Sequence, residues 1–255
     1  MKESFDKWKI LHYDTVDSTN EEAKRLAEGG EQRELLVTAR RQEKGKGRRG
    51  RIWESAPGDT ITMSLLLHPE IAPEHASSVT LVMGLAVAAV CRERFGVDAK
   101  IKWPNDVVVN GRKLCGILTE MSVENNAVRY LIIGVGINAN GTKFPEELSD
   151  TAVSLEQLTG QSVNQTELIE ACLEQFDSYY EQFLQTEDVS LLVELYNDQL
   201  AGKDGAVRVL EPGQEYQGIS RGINEKGELL VEKEDGTTEA VYAGEVSVRG
   251  IYGYV

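Results

Sequence analysis

The segment that decides the fold is residues 42–53, which read Gln-Glu-Lys-Gly-Lys-Gly-Arg-Arg-Gly-Arg-Ile-Trp. It lies between two apolar stretches, residues 35–39 and 60–67, whose composition predicts β-strands. Its three glycines relax the backbone, so main-chain N–H groups and the interleaved cations can close around an anion. An isolated basic stretch is more often a solvated loop, but the glycine spacing favours a loop that binds a phosphate or a carboxylate.

Two stretches, residues 45–50 and 134–139, literally match the dinucleotide-binding pattern Gly-x-Gly-x-x-Gly/Ala. That pattern functions only where a helix begins inside the glycines, because the helix N-terminus holds the pyrophosphate. The residues that follow, 51–58 and 140–145, contain Pro and Gly and do not predict a helix. We therefore decline both matches, and the P-loop pattern does not occur in the sequence.

Composition and charge exclude several classes of protein. The 255 residues carry a net charge of -15, yet residues 40–51 hold seven cations and one acid, which suits a small anionic ligand better than nucleic acid. The three cysteines, Cys91, Cys115 and Cys172, are widely spaced and odd in number, so they predict neither disulfides nor a zinc site. The N-terminus carries no apolar signal, and residues 79–91 are too short to cross a bilayer. We therefore expect a cytoplasmic protein without a membrane partner.

Outward from the loop, the patterning predicts an α+β domain. The residues Ser18-Thr19-Asn20-Glu21 have the form of a capping box, which predicts a helix ending at Gly29. Residues 79–90 are apolar at spacings of three and four, which predicts a core helix that buries one face. Further strands are expected at residues 8–16, 99–103, 107–109, 114–121 and 128–137, with turns at 110–111 and 125–126, and helices at 166–184 and 189–200.

After Gly202 the pattern changes to short strands separated by turns, at residues 207–210, 215–223, 228–233 and 238–242. This pattern is typical of a small β barrel of about fifty residues. We place the boundary near residue 200, which gives a first domain of residues 1–200 and a barrel domain of residues 201–255.

A second cluster of polar residues is Lys102-Trp103-Pro104-Asn105-Asp106. Pro104 ends a strand and presents Asn105 and Asp106 at its edge, where they could hold a magnesium-bound phosphate or a ribose. An isolated turn of this kind is usually structural. Lys113 comes from the neighbouring strand, and Gly116 offers a backbone position without a side chain against which a ligand can lie.

Together these segments resemble the biotin protein ligase family, from about Tyr13 to Arg249. The blocks that occur in the family's order and spacing are residues 17–20, 42, 45–53, 102–106, 112–118 and 134–138, with 218–223 of the barrel. The resemblance implies a class II synthetase-like α+β domain, a mixed sheet with flanking helices, followed by an SH3-like β barrel. It also implies an ATP-dependent ligase that converts biotin to biotinyl-5′-AMP with release of pyrophosphate, and then biotinylates one lysine of a carrier domain.

By resemblance, three groups of residues carry this chemistry. The catalytic cations are Lys113, Arg48 and Lys102. The biotin pocket consists of Ser18, Thr19, Asn20, Gln42, Lys46, Gly47, Arg48, Lys113 and Gly116. ATP is expected to contact Arg48, Arg49, Arg51, Trp53, Asn105, Asp106, Asn138, Glu245 and Arg249, with Asn105 and Asp106 reaching Mg²⁺ through phosphate. Family members commonly have Arg at the position of Lys46, which keeps the charge here but loses bidentate geometry.

The resemblance implies as partner the biotin carboxyl carrier domain of acetyl-CoA carboxylase or a related carboxylase, and it is compatible with a homodimer. A lipoate or octanoate ligase is similar in fold, but it usually shows Arg-Arg followed by three glycines, which this sequence lacks. A biotin-responsive transcriptional repressor would carry an N-terminal helix-turn-helix; about a dozen residues precede the first matching block here, and the repressor stays an alternative for a protein that has such a module in addition to this chain. A nucleic-acid-binding module would need aromatics among the loop cations, and only Trp53 is available. We therefore expect no DNA binding by this chain.

Overall fold

A computed structural model describes residues 7–53, 58–211, 214–243 and 247–250. The first part of the chain forms strands β1 (Lys9–Val16), β2 (Leu35–Gln42), β3 (Thr60–Leu67), β4 (Lys100–Lys102), β5 (Asp106–Val109), β6 (Arg112–Glu124) and β7 (Ala127–Asn138). They make one sheet in the order β1-β2-β3-β7-β6-β5-β4. β1 and β2 are parallel and the other pairs are antiparallel, so the predicted mixed sheet is confirmed.

Helices cover both faces of this sheet. They are α1 (Thr19–Glu28), α2 (Ala76–Phe95), α3 (Leu155–Thr159), α4 (Gln165–Thr186) and α5 (Val193–Gln199). α1 packs on one face over a small cluster that includes Ala23, Leu35 and Ile132, and α2 and α4 pack over the main core on the other. The flanking helices predicted from the sequence are thus confirmed, and α3 was missed because it has only five residues.

α2 differs from its prediction, because nearly all of its surface is buried and not only one face. It contacts β6 on one side and α4 on another, so each turn finds an apolar neighbour. Residues 73–95 are long and apolar enough to cross a membrane by composition alone, but 83% of their most apolar window is buried inside the protein. The helix is therefore the centre of the core.

The capping box predicted at Ser18 is wrong. Within the described residues the Ser18 side chain caps no helix N–H group, although α1 still begins at Thr19. The Glu21 carboxylate, which would complete the box, instead forms an ion pair with Lys46 of the basic loop. Ser18 is 2% exposed.

The second part of the chain forms a five-stranded antiparallel sheet of β8 (Ala206–Glu211), β9 (Gln214–Ile223), β10 (Leu229–Glu232), β11 (Thr238–Val241) and β12 (Ser247–Gly250). Its strand order is β11-β10-β9-β8-β12. β12 was not predicted from the sequence. The two sheets share one core. The indole N–H of Trp103 donates to the carbonyl of Gly227 at 3.0 Å, so the second sheet braces the strand turn of residues 102–106.

Candidate active site

The floor of the candidate site consists of glycines on the α1 face of the central strands. A Cβ atom at Gly134 would lie 2.9 Å from Cγ of Asn20, and one at Gly136 would lie 2.6 Å from Cζ2 of Trp53. A Cβ at Gly116, which pairs with Gly136, would lie 3.0 Å from Trp53. These glycines are therefore present because side chains from α1 and from the basic loop lie directly on the sheet.

A narrow pocket of about 50 Å³ lies between this floor, α1 and the basic loop. It brings together all nine residues predicted for biotin, namely Ser18, Thr19, Asn20, Gln42, Lys46, Gly47, Arg48, Lys113 and Gly116. The backbone N–H of Thr19 donates to Oε1 of Gln42 at 2.7 Å, which turns the Gln42 amide nitrogen away from Thr19. Lys46 lies at the rim, ion-paired with Glu21.

The pocket also rests on Ser64, which sequence reasoning missed. Its hydroxyl lies 2.7 Å from Oγ1 of Thr19 and 2.6 Å from Oδ1 of Asn20, and it is fully buried. The one available signal was a serine inside the otherwise apolar half of β3, Met63-Ser64-Leu65-Leu66-Leu67. A buried polar side chain in such a strand needs partners, and here they are pocket residues.

A wider cavity of about 650 Å³ lies beside the narrow pocket. Of the residues predicted for ATP it is lined by Arg48, Arg49, Arg51, Trp53, Asn105, Asp106, Asn138 and Arg249. Glu245, the remaining one, lies outside the described residues, as do residues 54–57 after Trp53. Sequence reasoning missed Asp59, which precedes β3, and Asn140 and Phe144, which follow β7, because neither segment shows a motif. The cavity is large enough for a nucleotide-sized ligand.

Five residues line both cavities: Gly47, Arg48, Trp53, Asn105 and Lys113. The amine of Lys113 lies 2.8 Å from Oδ1 of Asp106 and 5.4 Å from the Trp53 ring. Arg48 donates to Oδ1 of Asn105 at 2.9 Å and to the carbonyl of Ala243, two residues after the end of β11, at 2.7 Å. The two predicted catalytic cations Lys113 and Arg48 thus meet where the cavities join.

The electrostatics of this junction favour an anionic guest. Burial lowers the pKa of Lys102 to about 8; Asp106 opposes this shift, and the positive charges of Lys113, Arg249 and Arg51 add to it. Burial likewise lowers the pKa of the Arg48 guanidinium, which stays charged near neutral pH. Crowded, partly desolvated cations gain most from an arriving anion, because it offsets their mutual repulsion.

Comparison with known proteins identifies the family. Residues 13–138 match the Biotin/lipoate A/B protein ligase family, and residues 206–249 match the Biotin protein ligase C terminal domain. The chain is 34% identical over 241 residues to the Bifunctional ligase/repressor BirA of Bacillus subtilis, covering 94% of this chain and 74% of that protein. The chain belongs to the biotin protein ligase family.

Further relatives agree with this assignment. The Biotin--[acetyl-CoA-carboxylase] ligase of Paracoccus denitrificans is 32% identical, over 92% of this chain and 98% of that protein. The biotin protein ligase from Aquifex aeolicus, solved in complex with biotin and ATP, superposes with a TM-score of 0.83 at 29% identity, over 95% of this chain and 99% of that one. This biotin protein ligase is therefore an enzyme, a ligase that carries out ATP-dependent biotinylation, and its second sheet is the SH3-like domain of the family. The lipoate and repressor alternatives are not favoured.

Proposed function

We propose that biotin binds in the narrow pocket and ATP in the wide cavity, so that the biotin carboxylate and the α-phosphate meet beside Lys113 and Arg48. The observation that carries this proposal is that these two cations line both cavities. Two anions repel each other in solution, so the site's first contribution is to hold them together in one geometry.

In the first step a carboxylate oxygen attacks the α-phosphorus, and pyrophosphate leaves with the electron pair of the broken P–O bond. Lys113, Arg48 and Lys102 spread the negative charge that grows during the attack. In the second step the neutral amine of an acceptor lysine attacks the carbonyl carbon of the mixed anhydride; the bond from that carbon to the phosphate oxygen breaks, AMP leaves with its electron pair, and the nitrogen gives one proton to solvent. No nucleophile from the protein is needed, and the basic loop at the rim limits access of water to the anhydride.

Mg²⁺ is expected to enter with ATP. Among the described residues there is no group of three His, Cys, Asp or Glu side chains that could hold a metal. Asp106 is ion-paired with Lys113, and Oδ1 of Asn105 accepts from Arg48, so these two residues do not form a metal site by themselves. Mg²⁺ bound mainly by nucleotide phosphates is consistent with its usual preference.

We also propose the remaining features that the resemblance implied. Residues 1–200 form the catalytic domain and residues 201–255 the barrel domain, and the enzyme works in the cytoplasm. Its acceptor is the biotin carboxyl carrier domain of acetyl-CoA carboxylase or a related carboxylase, which the name of the Paracoccus relative supports. A homodimer stays a prediction, which analytical ultracentrifugation with and without biotin and ATP checks.

The assignment of Lys113 is tested by biotin-dependent exchange of labelled pyrophosphate into ATP. Lys113→Ala should lower the rate by at least about a hundredfold, the usual loss for one charge-stabilising group. The variant should still fold, because the positive charges of Lys102 and Arg48 continue to offset the negative charge of the buried Asp106 carboxylate. Lys203→Ala, which removes an exposed lysine of the second domain, serves as the control. Exchange within a few-fold of wild type in a folded Lys113→Ala protein would contradict the assignment.

A further inference from the structure

A chain of side-chain hydrogen bonds runs beneath the narrow pocket and joins Glu120, Asn20, Ser64 and Thr19. Nδ2 of Asn20 donates to Oε2 of Glu120 at 2.7 Å and to the Leu118 carbonyl at 3.3 Å. The Ser64 hydroxyl continues the chain to Thr19. Asn20, Ser64 and Thr19 are buried, so their bonds do not exchange freely with water.

The orientation of the Asn20 amide is fixed by its neighbours. If the amide were turned round, its oxygen would face the Leu118 carbonyl and the Glu120 carboxylate, which are both acceptors. Oδ1 of Asn20 therefore faces Ser64, at 2.6 Å. An oxygen pair at that distance requires a proton between the atoms, so the Ser64 hydroxyl donates to Asn20.

This direction constrains the next hydroxyl. Ser64 has one proton and gives it to Asn20, so towards Oγ1 of Thr19, at 2.7 Å, it can act only as an acceptor. Among the residues that the structure describes, the other hydrogen-bonding neighbour of Oγ1 is Oε1 of Gln42, at 3.1 Å, which also accepts from the Thr19 backbone N–H. Both neighbours of the Thr19 hydroxyl are acceptors, so its proton points into the protein.

We propose that Ser64 is a positioning residue that sets the specificity of the pocket. By accepting a hydrogen bond from the Thr19 hydroxyl, it keeps the proton of that hydroxyl directed towards the protein and away from the ligand. Thr19 then offers only lone pairs to the ligand, and the ligand edge that faces it must carry an N–H group. A cyclic urea meets this requirement, whereas a ring oxygen at the same place would face another acceptor. This inference rests on the proposed binding of biotin in the narrow pocket.

The test compares biotin with its two cyclic carbamate analogues, each having a ring oxygen in place of one urea N–H. Dissociation constants are measured by calorimetry for wild type, Ser64→Ala and Thr62→Val. Thr62 is the matched control, because it is a buried hydroxyl two residues along β3 that donates to the Ala39 carbonyl, away from the pocket. Wild type should prefer biotin over at least one analogue by about tenfold or more.

Ser64→Ala removes the nearer acceptor of the Thr19 proton, so the preference should fall by about three- to tenfold, while Thr62→Val keeps the wild-type ratio. A merely structural role would weaken biotin and analogue equally and leave the ratio unchanged. Should Ser64→Ala fail to fold, Glu120→Ala replaces it: this half-buried carboxylate holds the Asn20 amide, and its loss should lower the ratio in the same direction.

The inference is overturned, and the biotin assignment is kept, if folded Ser64→Ala binds biotin with the wild-type ratio of analogue to biotin dissociation constants. The same holds for Glu120→Ala where it replaces Ser64→Ala. A wild-type ratio near one for both analogues also overturns it alone. A wild-type protein that binds no biotin at all overturns the assignment of the pocket and the inference together.

Discussion

Gly136→Ala is the substitution that examines most directly how the floor of the site is built. The added methyl group would stand 2.6 Å from Cζ2 and 2.7 Å from Nε1 of Trp53, where carbon atoms normally lie about 3.5–4.0 Å apart. The indole must therefore move by about 1 Å. Overpacking of this size costs about 1–3 kcal/mol, which corresponds to a loss of about five- to 150-fold if Trp53 is needed in its place for ATP.

The measurement is kcat/KM for ATP in pyrophosphate exchange, with thermal unfolding recorded in parallel. Gly84→Ala is the matched control, because a Cβ there meets Ile101 and Ile117 at an ordinary 3.6 Å. Gly84 also lies inside α2, where alanine is the better helix former by up to about 1 kcal/mol. Wild-type kcat/KM in Gly136→Ala, or equal losses in both variants, would refute the packing of Trp53 on this glycine.

The charge of Lys102, the indole of Trp53 and the carboxylate of Asp17 can each be tested by one substitution. Lys102 has a pKa lowered to about 8, so kcat/KM for ATP should fall as pH rises through 8 and the amine loses its charge, whereas Lys102→Arg should abolish that fall; a pH profile checks both. Trp53 lines the narrow pocket, so binding of biotin beside its indole should change the fluorescence of Trp53, a signal that Trp53→Phe should remove. Hydrogen bonds from Arg25 lower the pKa of Asp17 from 3.8 to about 2. The stability that they give is therefore fully present above pH 3.8 and is lost as the pH falls towards 2. In thermal unfolding between these pH values, Asp17→Asn should show a smaller decrease of the melting temperature with falling pH than wild type.

Much of the fold followed from local patterns. β3 was predicted with its observed bounds, because an apolar run with flanking polar residues suits a strand buried on both faces. The turns at Asn110 and Asn125 were confirmed, since both adopt the positive φ angles that asparagine tolerates. The capping box failed because Glu21 is drawn to Lys46, a contact 25 residues away that no local pattern contains. Tertiary contacts also explain why α2 is buried all round.

The sequence predicted those residues of the site that lie within recognisable motifs. The glycines of residues 134–136 were part of a motif, but their purpose, to leave room for Asn20 and Trp53, depends on the packing of α1 and of the basic loop. Ser64 lies outside every motif, and its importance comes only from its hydrogen bonds with Oγ1 of Thr19 and Oδ1 of Asn20. Asn20 lines the pocket as expected, yet both ends of its amide are bonded to protein, so it shapes the pocket more than it offers groups to a ligand.

We propose that this chain transfers biotin through an adenylate to a lysine of a carrier domain. The most direct measurement incubates the purified protein with biotin, ATP, Mg²⁺ and a biotin carboxyl carrier domain, and follows the mass of the acceptor and the release of pyrophosphate, with lipoate in a parallel reaction. We expect a mass gain of one biotinyl group on the acceptor, accompanied by pyrophosphate, and no gain with lipoate. Labelling with lipoate, or no pyrophosphate release with biotin, would contradict it.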